Sequence, residues 1–298
     1  MGAVITSTAI CLDQDTHSIV ELAARAGEDC IKRSGKEKKE ISLIINVGIF
    51  RDNNIVEPAI VALIQQRMGV NLTLEDTLYH TFAFDMLNGA GGMLNAAQAV
   101  SALLANGDVE CALILGGDVH PSKTKTKHFP YSAIGAAMLL EWSNNPAKGF
   151  HSIEMKTSAS DYIGSSAFFD TNKSGIDSSG TMEFDYAPDY AERLTAFTVE
   201  TIQELLKHYR KNHSIDQSKI KLVSTHPWKG FAKQVAKSVG LSGHPVECLF
   251  EKYGNPNSSA LMVAYHDAYN AGRLKKGDNV LFLAASAGIN VIAGLYGM

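Results

Sequence analysis

A short run of structural elements recurs in this chain. Two stretches, near residues 18–119 and 191–298, carry a helix, a buried strand, a second helix, a corner opening a third helix, and closing strands, in the same order. In the first stretch "SIVELAARAGEDCIKRSG" places apolar residues at helical spacing, and "ISLIINVGIF" is the continuous apolar run of a strand buried on both faces. "VEPAIVALIQQRMGV" predicts a helix, and "TLYHTFAFDML" leads into the corner "NGAGG". "GMLNAAQAVSALLANGD" predicts a helix ending at Asn106-Gly107, and "VECALILGGD" and "YSAIGAAMLLEWS" predict further strands. In the second stretch the helix is "AERLTAFTVETIQELLKHYRKN", the strand "IKLVSTHPW" and the next helix "KGFAKQVAKSVGL". "PVECLFEKYGNPNSSALMVAYHDAYNAGRLKKGD" predicts strand, Gly-Asn corner, helix and turn, and "NVLFLAASAGINVIAGLYG" closes with strands. Helices alternating with buried strands specify an α/β protein, and the repeat predicts two pseudo-symmetric halves packed together. We expect an N-terminal half at 1–155, a connecting loop rich in Ser, Gly and Asp at 156–190, and a C-terminal half at 191–298.

Composition excludes several function classes. No apolar run approaches the roughly 20 residues of a membrane span, and the N-terminus "MGAVITSTAICLDQD" lacks the basic and long apolar regions of a signal peptide. Gly2 and Thr6 fit a myristoylation pattern so short that it matches by chance. The formal charge of −4 and the pI of about 6.2 argue against general nucleic-acid binding. Cys11, Cys30, Cys111 and Cys248 form no CxxC pair, so no zinc site is expected, and reduced thiols place the protein in the cytoplasm.

The repeat pairs "VGIFRD" with "STHPWK" and "NGAGG" with "YGNPN". Ligands bind at the strand ends of parallel α/β sheets, so Ala90, His226 and Asn255 are expected to converge between the halves. A nucleophile at a strand-to-helix corner has its pKa lowered by the helix N-terminus, and free N–H groups of the first turn bind an oxyanion. Here the corner residue is Ala90, which has no nucleophile. Of three His-Pro pairs, at His120, His226 and His244, only His226 follows a buried strand and precedes a helix. Asn255 has a second reading as a cap for the helix beginning near Asn257-Ser258, and Gly89, Gly91 and Gly92 as close packing. Lys207, Arg210, Lys211, Lys219, Lys221, Lys229 and Lys233 form a basic stretch, either a solvated face or a landing surface for an acidic partner. "NGAGGM" fails as a dinucleotide fingerprint because the third glycine falls on Leu94.

These motifs carry a resemblance over nearly the whole chain. "FDMLNGAGGMLNAAQ", "ALILGGDVHPS", "STHPWKGFAKQVAKSVGL" and "YGNPNSSALMVAYHDAYNAGRLKKGDNVLFLAASAG" are similar, in order and spacing, to the thiolase-fold condensing enzymes, above all β-ketoacyl-acyl-carrier-protein synthase III. The resemblance implies a five-layered αβαβα fold and a Cys-His-Asn catalytic set, with His226 and Asn255 in place and Ala90 at the cysteine position. Backbone donors at Gly91, Ala287 and Gly288 would serve the oxyanion. It further implies an acyl-CoA or acyl-carrier-protein thioester as substrate, no permanently bound cofactor or metal, and a homodimer or heterodimer formed near "TLYHTFAF". Two further departures stand beside Ala90. The family's extended segment after the first strand, with its adenine-holding tryptophan, is missing, since neither Trp142 nor Trp228 lies there. "AASAG" at 284–288 replaces a run of glycines. The expected function is therefore an acyltransferase or condensing enzyme of fatty-acid or polyketide biosynthesis, its acyl-enzyme step disabled by a natural or introduced Ala90. Decarboxylation, which needs only His226 and Asn255, is retained in this reading. The alternative is a natural cysteine-less partner of an active ketosynthase, as chain-length factors are.

Overall fold

The computed structural model describes residues 1–73, 80–121, 129–158, 165–169, 182–211, 215–241, 249–286 and 288–298. The first half opens with strand β1 (Gly2–Cys11) and helix α1 (Ile19–Ser34). Ser18 caps α1 by accepting from Glu21 N, and Gly35, at φ +77°, closes it in the left-handed region that a side chain disfavours. Then come β2 (Leu43–Asn46), α2 (Ile60–Met68), β3 (Phe82–Asp85), α3 (Gly92–Asn106), β4 (Cys111–Gly116) and β5 (Gly135–Ser143). These strands make one sheet in the order β1-β5-β4-β2-β3, with β2 parallel to both β3 and β4, and β5 antiparallel to β4 and β1.

The second half repeats the plan. Its elements are β6 (Gly149–Thr157), β7 (Ser165–Phe169), β8 (Met182–Tyr186), α4 (Tyr190–Arg210), β9 (Ile220–Ser224), α5 (Phe231–Ser238), α6 (Leu249–Tyr253), α7 (Ala260–Asn270), β10 (Asn279–Ser286) and β11 (Asn290–Gly297). The second sheet runs β6-β11-β10-β9, with β9 parallel to β10 and β11 antiparallel to both its neighbours. It matches the first strand for strand: β6 to β1, β11 to β5, β10 to β4 and β9 to β2. Among the described residues β3 has no counterpart.

Three apolar clusters separate five layers. Ile19, Leu22, Ile60 and Ile64 of α1 and α2 pack on the outer face of the first sheet. Leu194, Ile202, Phe231 and Val235 of α4 and α5 pack on the outer face of the second. Between the sheets lies a central cluster in which Met93, Leu94, Ala97 and Val100 of α3 meet Leu261, Met262 and Tyr265 of α7. Burying a single Ile, Leu or Phe side chain stabilises by roughly 1.5–3 kcal/mol, so the buried faces of α3 and α7 hold the two sheets as one body. This is the five-layered αβαβα arrangement expected.

Two local expectations are corrected. The strand read from "PVECLF" is, where described, helix α6: a short apolar run does not by itself separate strand from helix, and Leu249 alone of this helix is buried. The stretch read as a loop from 156 carries the end of β6 and a hairpin in which β7 and β8 pair antiparallel, so the second sheet takes its first strand well before residue 191. Those strands are short and rich in Ser, Gly and acidic residues nearby, which hid them.

Candidate active site

Both halves send a corner into the middle layer. In the first, a 3-10 turn at Gly89–Gly91 passes directly into α3. Gly89 has φ +48°, and a Cβ on Gly91 would lie 2.8 Å from Ile292 Cδ1 of β11, so the corner needs glycine for its backbone and for its closeness to the second sheet. Asn88 Nδ2 donates to Asn95 Oδ1 at 2.6 Å, and Asn88 Oδ1 accepts from Asn290 Nδ2 at 2.9 Å, which fastens the turn to α3 and β11. Ala90, at its centre, is 4% exposed. The Gly91 N–H donates to Asn88 O at 2.9 Å and is thus engaged within the turn.

In the second half, Gly254 (φ +67°) and Asn255 precede a 3-10 turn at Asn257–Ser259 that opens α7. This turn packs against the Gly89–Gly91 turn. Asn255 Oδ1 accepts from Asn257 N at 3.0 Å, a bond to the first residue of the 3-10 turn, whereas the N-cap positions of that turn and of α7 are Pro256 and Ser259. This bond leaves the Asn255 Nδ2 without a partner among the described residues. The Asn255 carbonyl accepts from Ser132 N at 2.9 Å.

Asp118, just past β4, joins the halves and was missed in the sequence. It is fully buried. Its carboxylate accepts from Ile49 N (2.9 Å), Phe50 N (2.7 Å), Asn257 Nδ2 (3.1 Å), Ser258 N (2.9 Å) and Ser258 Oγ (2.6 Å). Burial pushes its pKa up, and the donors oppose that shift. A carboxylate closing the apolar run "CALILGGD" was the available signal, because a buried charge needs several partners.

His226 follows β9 on a segment held to β10: Thr225 N donates to Leu283 O at 2.9 Å, and Thr225 Oγ1 accepts from Ala285 N at 2.9 Å. The imidazole is 4% exposed, without a hydrogen bond among the described residues, and burial lowers its pKa to about 4. It is therefore neutral at pH 7. Its place differs from expectation. Ala90, Asn255, Asn257 and Ser286 line one cavity of about 40 Å³ together with Thr225 and Pro227, the two neighbours of His226. His226 itself lines an adjoining cavity between β9 and α7, with Ser224, Ala264 and Leu274.

Gly288 (φ +75°) lies in the turn between β10 and β11, and Ala287 lies outside the described residues, as do His244 and Cys248. His120 meets Phe129 edge-on at 5.0 Å, away from the corner's lining. Cys11, Cys30 and Cys111 are buried, and burial raises each thiol, Cys30 to about 11 and Cys111 to about 12, so none of these stands in for the nucleophile missing at Ala90. In the basic stretch, Lys219 pairs with Asp216 (3.5 Å) and Lys229 with Glu251 (2.8 Å), as on a solvated face. Among the described residues no group of three or more His, Cys, Asp or Glu is placed to hold a metal, and no helix is long and apolar enough to cross a membrane.

Residues 211–298, which hold both His226 and Asn255, match the family model for the C-terminal part of 3-oxoacyl-[acyl-carrier-protein] synthase III. A β-ketoacyl-[acyl-carrier-protein] synthase III of Clostridium perfringens is 24% identical over 302 residues, covering 96% of this chain and 86% of that relative. One from Koribacter versatilis is 22% identical, covering 90% and 80%. The chain is thus similar in sequence to β-ketoacyl-acyl-carrier-protein synthases III. The crystal structure of 3-oxoacyl-[acyl-carrier-protein] synthase III from Aquifex aeolicus superposes with a TM-score of 0.78, at 15% identity and full coverage of both chains. Cerulenin-bound OleA of Xanthomonas campestris superposes at 0.74, with 15% identity and 99% coverage of each chain. At such identities the structures establish the thiolase-type fold.

Proposed function

We propose that this chain handles acyl thioesters at the Ala90 corner, as a β-ketoacyl synthase III-like member of the condensing enzymes of fatty-acid or polyketide-type biosynthesis. The acyl group arrives on coenzyme A or an acyl carrier protein and is held without a covalent bond. The observation that carries this reading is that Ala90, the first-half corner, and Asn255, the second-half corner, line one cavity. A methyl group cannot attack a thioester, so no acyl-enzyme forms here. What remains is recognition of a carbonyl: the Asn255 Nδ2, without a partner among the described residues, is a donor at this cavity, and neutral His226 carries a second N–H on the adjoining one. The first half supplies the Ala90 corner and the second the Asn255 corner, and Tyr186 and Tyr190, from the 156–190 stretch, supply part of the cavity wall. Calorimetric titration of the purified chain with acetyl-CoA and with acetyl-acyl-carrier protein tests this. Saturable binding of either, with no gain in intact mass, is expected; failure of both to bind overturns it.

A second reading, a cysteine-less partner of an active ketosynthase, is favoured by β3. Among the described residues it is an edge strand paired only with β2, and it carries Phe82 at 62% exposure. Copurification of a mixed dimer with a related synthase from the source cells supports this reading; a homodimer alone removes it.

A further inference from the structure

The mouth of the corner cavity is built from tyrosines. Tyr131, before β5, Tyr186, the last residue of β8, and Tyr190, the first of α4, line it with Ala90. Exposure grades from floor to rim: 4% at Ala90, 8% at Tyr190 and 46% at Tyr186. Each ring is held by others. Tyr186 lies against Tyr190 with centroids 5.5 Å apart, and Tyr190 meets Trp228 edge-on at 6.4 Å. Tyr131 packs on Phe50 at 5.2 Å and edge-on to Phe184 at 5.6 Å. The Ser132 N–H bond to the Asn255 carbonyl ties the Tyr131 segment to the second corner. Aromatic pairs in such geometries add to their burial, so the three rings form a fixed wall rather than three loose side chains. The space inside, about 40 Å³, is that of a few water molecules. No Lys, Arg, Asp or Glu is among the described residues lining it.

The geometry points to an aromatic collar, made by Tyr131, Tyr186 and Tyr190, that determines what reaches the Ala90 corner: a slender, unbranched, uncharged arm passes and a broad or branched group is refused. A charged group would be stripped of water there with no counter-ion in the wall. A carbonyl on a thin chain meets neutral polar side chains (Thr225, Asn255, Asn257, Ser286), small apolar ones (Ala90, Pro227, Ala285) and the tyrosine rings. This rests on the reading of the corner as the reaction site, and it assigns to that site a specificity that its His and Asn do not supply.

The test uses the full-length chain carrying Ala90→Cys, so that the introduced thiol reports passage through the mouth. Alkylation of position 90 by N-ethylmaleimide and by N-(1-pyrenyl)maleimide is followed by peptide mass spectrometry, each rate being divided by that of glutathione with the same reagent. The collar predicts that the pyrenyl reagent is at a disadvantage of about tenfold or more. Adding Tyr186→Ala, at the half-exposed rim, is expected to erase most of that disadvantage while leaving the ethyl reagent's rate within about twofold. Tyr186→Leu, which keeps bulk on the strand, serves as a second variant should the first unfold. Equal normalised rates before any tyrosine is changed, no alkylation by either reagent, or a disadvantage untouched by both tyrosine variants each overturns the collar. Because labelling uses no thioester, a chain that fails to bind acetyl-CoA but shows the predicted rates retains the collar and loses the thioester reading.

Discussion

Replacing His226 by glutamine is expected to change how stability depends on pH. The imidazole is 4% exposed, and burial lowers its pKa from 6.5 to about 4. In the unfolded chain it returns to about 6.5, so the unfolded state takes up the proton first. The stability attached to the neutral imidazole is therefore complete above pH 6.5. It falls as pH is lowered and reaches its minimum near pH 4. Integrating the two titrations between pH 7 and pH 5 gives a loss of about 2 kcal/mol assigned to this one side chain. Glutamine is neutral throughout and has no such slope. Urea unfolding of both proteins at the two pH values isolates the difference, because the other titrating groups, including the buried His266, are common to both. The native protein should lose about 2 kcal/mol more than His226→Gln over this interval. Equal losses, or an imidazole resonance that titrates at 6.5 or above in the folded protein, would show that His226 is not buried as a neutral group.

Other outcomes follow from the corner geometry. Asp118→Ala leaves five donors facing a buried void, and should cost about 3 kcal/mol or more in urea unfolding; a change within experimental error would remove Asp118 from its role as the link between the halves. Gly91→Ala places a Cβ 2.8 Å from Ile292 Cδ1 and should cost about 1–3 kcal/mol. Ile292→Val, which removes that Cδ1, should recover part of the loss in the double variant; simple additivity of the two costs would contradict the packing argument.

The layers of this fold were legible because their signals are local. The 3.6-residue periodicity of α1, α3 and α4 and the unbroken apolar runs of β2, β4 and β10 depend only on neighbours along the chain, and the repeat supplied their pairing across the halves. The corner at Ala90 and the Gly-Asn turn at Asn255 were legible for the same reason, since glycine marks the backbone conformation that such turns need. What stayed hidden depends on distant parts of the chain. Asp118 reaches Ser258 across 140 residues. Tyr131 and Tyr186 meet at one cavity from opposite sides of β5 and β6, and neither belongs to a motif. The cavity that His226 lines was hidden because it depends on how β9, at the edge of the second sheet among the described residues, meets α7. The α6 helix was hidden because a short apolar run fits either period.

The central claim is that the Ala90 corner is the nucleophile position of an acyl-thioester site. Intact-mass spectrometry of Ala90→Cys after incubation with acetyl-CoA tests it most directly. The introduced thiolate attacks the thioester carbonyl, the sulfur–acyl bond to coenzyme A breaks, and the released coenzyme A thiolate takes a proton. The predicted result is a single acetyl adduct at position 90, absent from the unsubstituted chain. A thiol that reacts with N-ethylmaleimide yet stays unacylated by acetyl-CoA and by acetyl-acyl-carrier protein would contradict the account.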